Sequence, residues 1–71
     1  MAFKFSRQEI LPLFLQTRLS VVELSRRAGV APRTVDRAVN GEKISAGVVD
    51  KIAQALGIDA MKFLVAPNAQ P

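Results

Sequence analysis

One local arrangement recurs along this chain and limits what it can fold into: an apolar residue, a helix-capping position, then a second apolar residue five places after the first. It occurs as Phe5/Ile10 around Ser6, Leu19/Leu24 around Ser20, Ile44/Val49 around Ser45 and Ile58/Phe63 around Asp59. Val30/Val35 flanking Ala31 is a weaker fifth case. Each marks a helix start, because the apolar pair fixes how the chain enters the helix while the capping residue accepts from unpaired amides. Ser6 and Ser20 are followed three residues later by Glu9 and Glu23, which predicts a reciprocal capping box at both. Gly29, Gly41 and Gly57 stand where a left-handed residue closes a helix, and Pro67 follows the last apolar run.

The spacing therefore predicts five helices, over Arg7–Thr17, Val21–Ala28, Pro32–Asn40, Ala46–Leu56 and Ala60–Val65. Pro12 conflicts with the first, which is either kinked there or begins nearer Leu11. In the fourth, Val48, Val49, Ile52, Ala53 and Leu56 form a core stripe, with Asp50, Lys51 and Gln54 away from it. No strand-like alternation of useful length appears, so the class is all-α. Residues 1–66 form the expected domain, and the tail 67–71, without apolar periodicity, is expected to be disordered.

With 71 residues, 49% of them hydrophobic, the chain can bury one modest core and not two. It contains no Cys and no His, which excludes a disulfide framework, a zinc site of the usual ligands, a thiol nucleophile and an imidazole base. Glu9, Glu23, Asp36, Glu42, Asp50 and Asp59 are scattered over helix starts and surfaces, so neither an enzyme nor a bound metal or cofactor is expected. A net charge of +4 favours a polyanionic partner without identifying one. No apolar run approaches the roughly 20 residues that span a bilayer, and no export signal precedes Arg7 and Glu9. A cytoplasmic location with no membrane partner is the resulting expectation.

The second and third helices, joined through Gly29 to Ala31, have the geometry that lets one helix protrude into a groove. Ser25 is small where crossing helices approach, and Leu24, Ala28, Val30, Val35 and Ala38 can supply the contacts between them. At 100° per residue, Val35, Ala38 and Val39 share one side of the third helix, while Arg33, Thr34, Asp36, Arg37 and Asn40 occupy the other. Arg33 and Arg37 repel one another at this spacing unless an anion or base acceptors receive them. Residues alone leave two readings open, a DNA-contacting face or a solvated helical hairpin partly neutralised by Asp36.

The stretch from Ser20 to Leu64, SVVELSRRAGVAPRTVDRAVNGEKISAGVVDKIAQALGIDAMKFL, resembles the Cro and phage-repressor-like (XRE-type) helix-turn-helix proteins. The most specific parts are ELSRRAGVAPRTVDRAVNGEKIS and the later KIAQALGI followed by a short helix. The resemblance implies a compact five-helix, lambda-repressor-like domain that binds double-stranded operator DNA, commonly as a homodimer on two-fold related half-sites. It implies base contacts from Pro32, Arg33, Asp36 and Arg37, with Arg33 foremost because its guanidinium fork can meet both O6 and N7 of guanine. Thr34 and Asn40, with backbone amides at Ser20, Val21 and Lys43, become the phosphate-positioning set. Two positions depart from the family's pattern: Val21 stands where Gln is frequent and Ala31 where Ser or Thr often caps the recognition helix. Pro32 partly replaces that cap by presetting the backbone angle, but it cannot donate to a base. The tandem Arg26-Arg27 reads as solvated or phosphate-facing surface.

The resulting expectation is a sequence-specific transcriptional regulator, repressor-like in action. The alternatives are a helical protein-interaction module of antitoxin or adaptor type, in which Phe63, Leu64 and Val65 could serve the contact, and a DNA accessory factor in recombination or plasmid maintenance.

Overall fold

In the computed structural model, which describes residues 2–65, the elements run β1 (Ala2–Phe3), α1 (Arg7–Thr17), α2 (Val21–Ala28), α3 (Pro32–Val39), β2 (Ile44–Ser45), α4 (Ala46–Leu56) and α5 (Ala60–Phe63). All five expected helices form. The third and fifth end earlier than expected, at Val39 and Phe63. The expected tail, 67–71, lies outside the described residues. Among those described, no helix is long and apolar enough to cross a membrane.

Helix ends follow the glycine logic closely. Gly29, Gly41 and Gly57 take φ of 72°, 77° and 69°. The amides that follow, at Val30, Glu42 and Ile58, reach back to the carbonyls of Ser25, Arg37 and Ala53 at 3.0 to 3.1 Å. At Gly41 and Gly57, whose own amides donate to the Ala38 and Gln54 carbonyls, this is the double closure of a Schellman-type end, whereas at Gly29 both amides meet the Ser25 carbonyl. The first helix ends differently: Arg18, with φ of 60°, occupies the left-handed position without being glycine, and Thr17 Oγ1 donates to the Phe14 carbonyl.

Helix starts agree with expectation in part. At Ser20 the box closes, with Oγ accepting from Glu23 N–H at 3.1 Å and Glu23 Oε1 accepting from Ser20 N–H at 3.2 Å. At Ser6 it does not, because the Ser6 amide that Glu9 would receive donates instead to the Phe63 carbonyl at 2.6 Å, and the Ser6 side chain makes no capping bond. Ser45 and Asp59 cap α4 and α5 through the amides of Val48 and Met61. Helix α1 begins at Arg7 and passes through Pro12, so a start near Leu11 is overturned. Pro12 and Gln8 are both exposed, where water can replace the missing donor.

The expectation that no strands form also needs correction. Ala2 and Phe3 pair antiparallel with Ser45 and Ile44, and Phe5 forms a bridge with Leu64. Segments of two residues are too short to produce an alternation pattern. The ribbon ties the chain's start across the end of the helical bundle, and the class remains all-α.

Two adjoining clusters make up the core. Phe5, Ile10, Ala28, Ala38, Ile44 and Ile52 belong to one, with Phe63 and Leu64 packed against it; Phe14, Leu24, Val35 and Val39 form the other. On α4 the stripe is as expected: Val49, Ile52 and Ala53 are buried, with Val48 and Leu56 half-buried. Replacing Ser20 by Ala should cost about 1 kcal/mol in urea denaturation, and replacing Ser6 by Ala clearly less, since only Ser20 accepts a capping bond.

Candidate nucleic-acid interface

The turn between α2 and α3 is built by residues that allow close approach. Ser25 is buried on α2, its hydroxyl satisfied by the Val22 carbonyl at 2.6 Å, so it fits the crossing without an unpaired polar atom. Ala31 contributes no side-chain cap and Pro32 occupies the first turn of α3, which suits its fixed φ and missing amide. Val35 and Ala38 are fully buried and Val39 nearly so. Arg33, Asp36 and Arg37 are exposed, and Thr34 and Asn40 are half-buried at the margin. One side of α3 is thus seated and the other presented to solvent, as its periodicity predicts.

The presented side is internally organised. Asn40 Nδ2 donates to the Asp36 carbonyl at 2.7 Å and to Asp36 Oδ1 at 3.3 Å. Arg37 Nε lies 4.0 Å from Glu42 Oε1, with both side chains more than half exposed. A pair so placed contributes about 0 to 1 kcal/mol and yields readily to a better acceptor. Among the described residues Arg33 has no ion-pair partner.

The residues expected to meet phosphate fall into two groups. Thr34 and Lys43 line one depression together with Arg37, Ser45, Val48 and Ala2. Ser20 sits apart, at the start of α2, where its own amide is taken by the Glu23 carboxylate. The neighbouring amide, at Val21, has no intrahelical partner by the geometry of a helix start. Arg26 and Arg27 are exposed in the last turn of α2, where cations complement the helix dipole.

Sequence reasoning missed one neighbour of this face. Lys4 lines a second depression beside the first, with Arg37, Gly41, Glu42 and Lys43. The available signal was the short Phe3-Lys4-Phe5 alternation. The chain's start is held against the turn that closes α3: a Cβ on Gly41 would come within 3.1 Å of Arg7 Cβ and 3.3 Å of the Phe5 carbonyl.

Residues 15–63 match the family model described as helix-turn-helix. No curated protein and no solved structure matches the chain.

Gly41 and Gly29 share a left-handed conformation, but nothing lies within 4 Å of a Cβ on Gly29. Gly41→Ala should therefore destabilise by at least about 1 kcal/mol more than Gly29→Ala in urea denaturation, the excess measuring the added crowding.

Proposed function

This chain belongs to the XRE/Cro-like helix-turn-helix family of DNA-binding domains, and from that premise we propose that it is a sequence-specific, repressor-like transcriptional regulator that reads the major groove with α3. The observation that carries the reading is the division of α3 into a buried side, Val35, Ala38 and Val39, and a presented side containing Arg33, Asp36 and Arg37. The lambda-repressor-like arrangement of five helices gives α3 its seat, and the guanidinium of Arg33, without an ion-pair partner among the described residues, supports assigning it the main base contact. Arg37 reads beside it once Glu42 is displaced. Asp36, held by Asn40, sets which base edge is tolerated between the two arginines, and Pro32 offers apolar contact alone.

Phosphate positioning falls to Thr34, Asn40 and the Lys43 loop on one flank of α3 and to the Ser20 and Val21 amides on the other. The Ser20 contribution is reduced by Glu23, whose carboxylate occupies the amide and opposes a phosphate. A homodimer on two-fold related half-sites completes the reading, with DNA as the partner and the nucleoid as the place of action.

Selection of bound duplexes from a random pool tests this directly. Enrichment of a motif is expected, and a palindrome would establish dimeric binding; no enrichment would sink the regulator reading. Arg33→Ala should lose about 1 to 3 kcal/mol on the selected duplex and much less on unrelated sequence. Equal loss on every duplex would remove its base-reading role.

A further inference from the structure

Residues 2–5, which precede the family match, lie beside the C-terminal end of α3, and their backbone holds them there. Phe3 is registered opposite Ile44, the Val65 amide donates to the Lys4 carbonyl at 2.8 Å, and Phe5, 1% exposed, is sunk in the core. Side chains alternate along an extended segment, so anchoring Phe3 and Phe5 inward turns the intervening Lys4 outward. Its charge is thereby held at a set place rather than carried on a free arm.

That place has a specific electrostatic need. The depression lined by Lys4, Arg37, Gly41, Glu42 and Lys43 lies at the C-terminal end of α3, where the carbonyl end of the helix dipole disfavours an anion. Glu42 adds a carboxylate, and Arg37 is turned toward it. A phosphate passing this end of the helix meets two sources of repulsion; Lys43 and Lys4 are the cations besides Arg37 that line the depression, with Arg7 next to Gly41 at its edge. Ala2 lines the adjoining depression with Thr34, Arg37 and Lys43, so residues 2–5, a strap formed by β1 and its continuation, border both depressions that Lys43 lines.

We propose that Lys4 is a phosphate-contacting residue of the DNA interface, supplied by the β1 strap from outside the helix-turn-helix match. The proposal rests on the DNA-binding reading above. A single phosphate contact contributes about 0.9 to the slope of log K against log salt.

The test is binding of the full chain to a random-sequence duplex of about two helical turns, followed by fluorescence anisotropy over about 50 to 200 mM salt. Lys4→Gln should lower the magnitude of the slope by about one and shrink the affinity lost over that range by about 3.5-fold. Lys4→Arg keeps the charge and should keep the wild-type slope. Lys62→Gln, on α5 and lining neither depression, removes the same charge and should also leave the slope unchanged. A wild-type slope in Lys4→Gln, a reduced slope in Lys4→Arg, or an equal reduction in Lys62→Gln overturns the proposal while DNA binding stands. Failure of the wild-type chain to bind any duplex overturns both readings.

Discussion

Everything presented by α3 depends on the burial of its other side against α2. An eight-residue helix is too short to persist alone in water, and this one lacks a side-chain cap at Ala31. Its helicity therefore comes from tertiary packing. Val35 and Val39 enter the cluster that holds Leu24 and Phe14, while Ala38 enters the cluster that holds Ala28 and Ile52. Fully burying a side chain such as Leu24 or Val35 contributes about 1.5 to 3 kcal/mol, against a net stability of about 5 to 15 kcal/mol for a whole domain. The seat of α3 thus matters to the fold as a whole, and the orientation of Arg33 and Arg37 is inherited from it.

Helix α3 is supported from two directions because it contributes to both clusters. One cluster fixes it to α2 and α1. The other fixes it to α4 and to the strap, through Phe5, Ile44 and Ile52. Gly41 is where the strap meets the end of the helix: its left-handed φ closes α3, and its missing side chain leaves room for the Phe5 carbonyl and Arg7. One residue type satisfies a local backbone demand and a tertiary one, so the end of α3 and the start of the chain are set together.

What the sequence made legible divides along the same line. Helix starts at Ser20, Ser45 and Asp59, and stops at Gly29, Gly41 and Gly57, were readable because each depends on residues within one turn. The failures involve partners distant in the chain. Ser6 carries the letters of a capping box, but its amide is claimed by Phe63, far along the sequence. The β1–β2 pairing involves two-residue segments, and the Phe3-Lys4-Phe5 alternation is too short to mark a strand or name its partner. Arg18 closes α1 in a conformation costing an L-residue about 1 to 2 kcal/mol, and no local signal marks it. In the candidate site, helical periodicity separated the seated side of α3 from the presented one. It could not bring Lys4 alongside Lys43, which depends on strand pairing.

The charges on the presented side separate by function along the helix in the proposed reading. Arg33 and Arg37, one turn apart, would repel if both pointed free into solvent. The conflict is eased by proximity to Glu42 at one end only, which draws Arg37 toward the C-terminal turn and leaves Arg33 without an ion-pair partner among the described residues. Asp36 meanwhile accepts from Asn40 and, among the described residues, forms an ion pair with neither arginine. The N-terminal half of α3 therefore carries a guanidinium whose donors are available to a base edge. The C-terminal half carries one that must exchange a weak carboxylate contact for DNA. Such an exchange costs little at an exposed pair, so the proposed reading has affinity depend on both arginines and base choice rest chiefly on Arg33. In the same reading Lys43 and Lys4, where the helix dipole and Glu42 oppose a phosphate, supply the charge that keeps that end of the helix against the backbone.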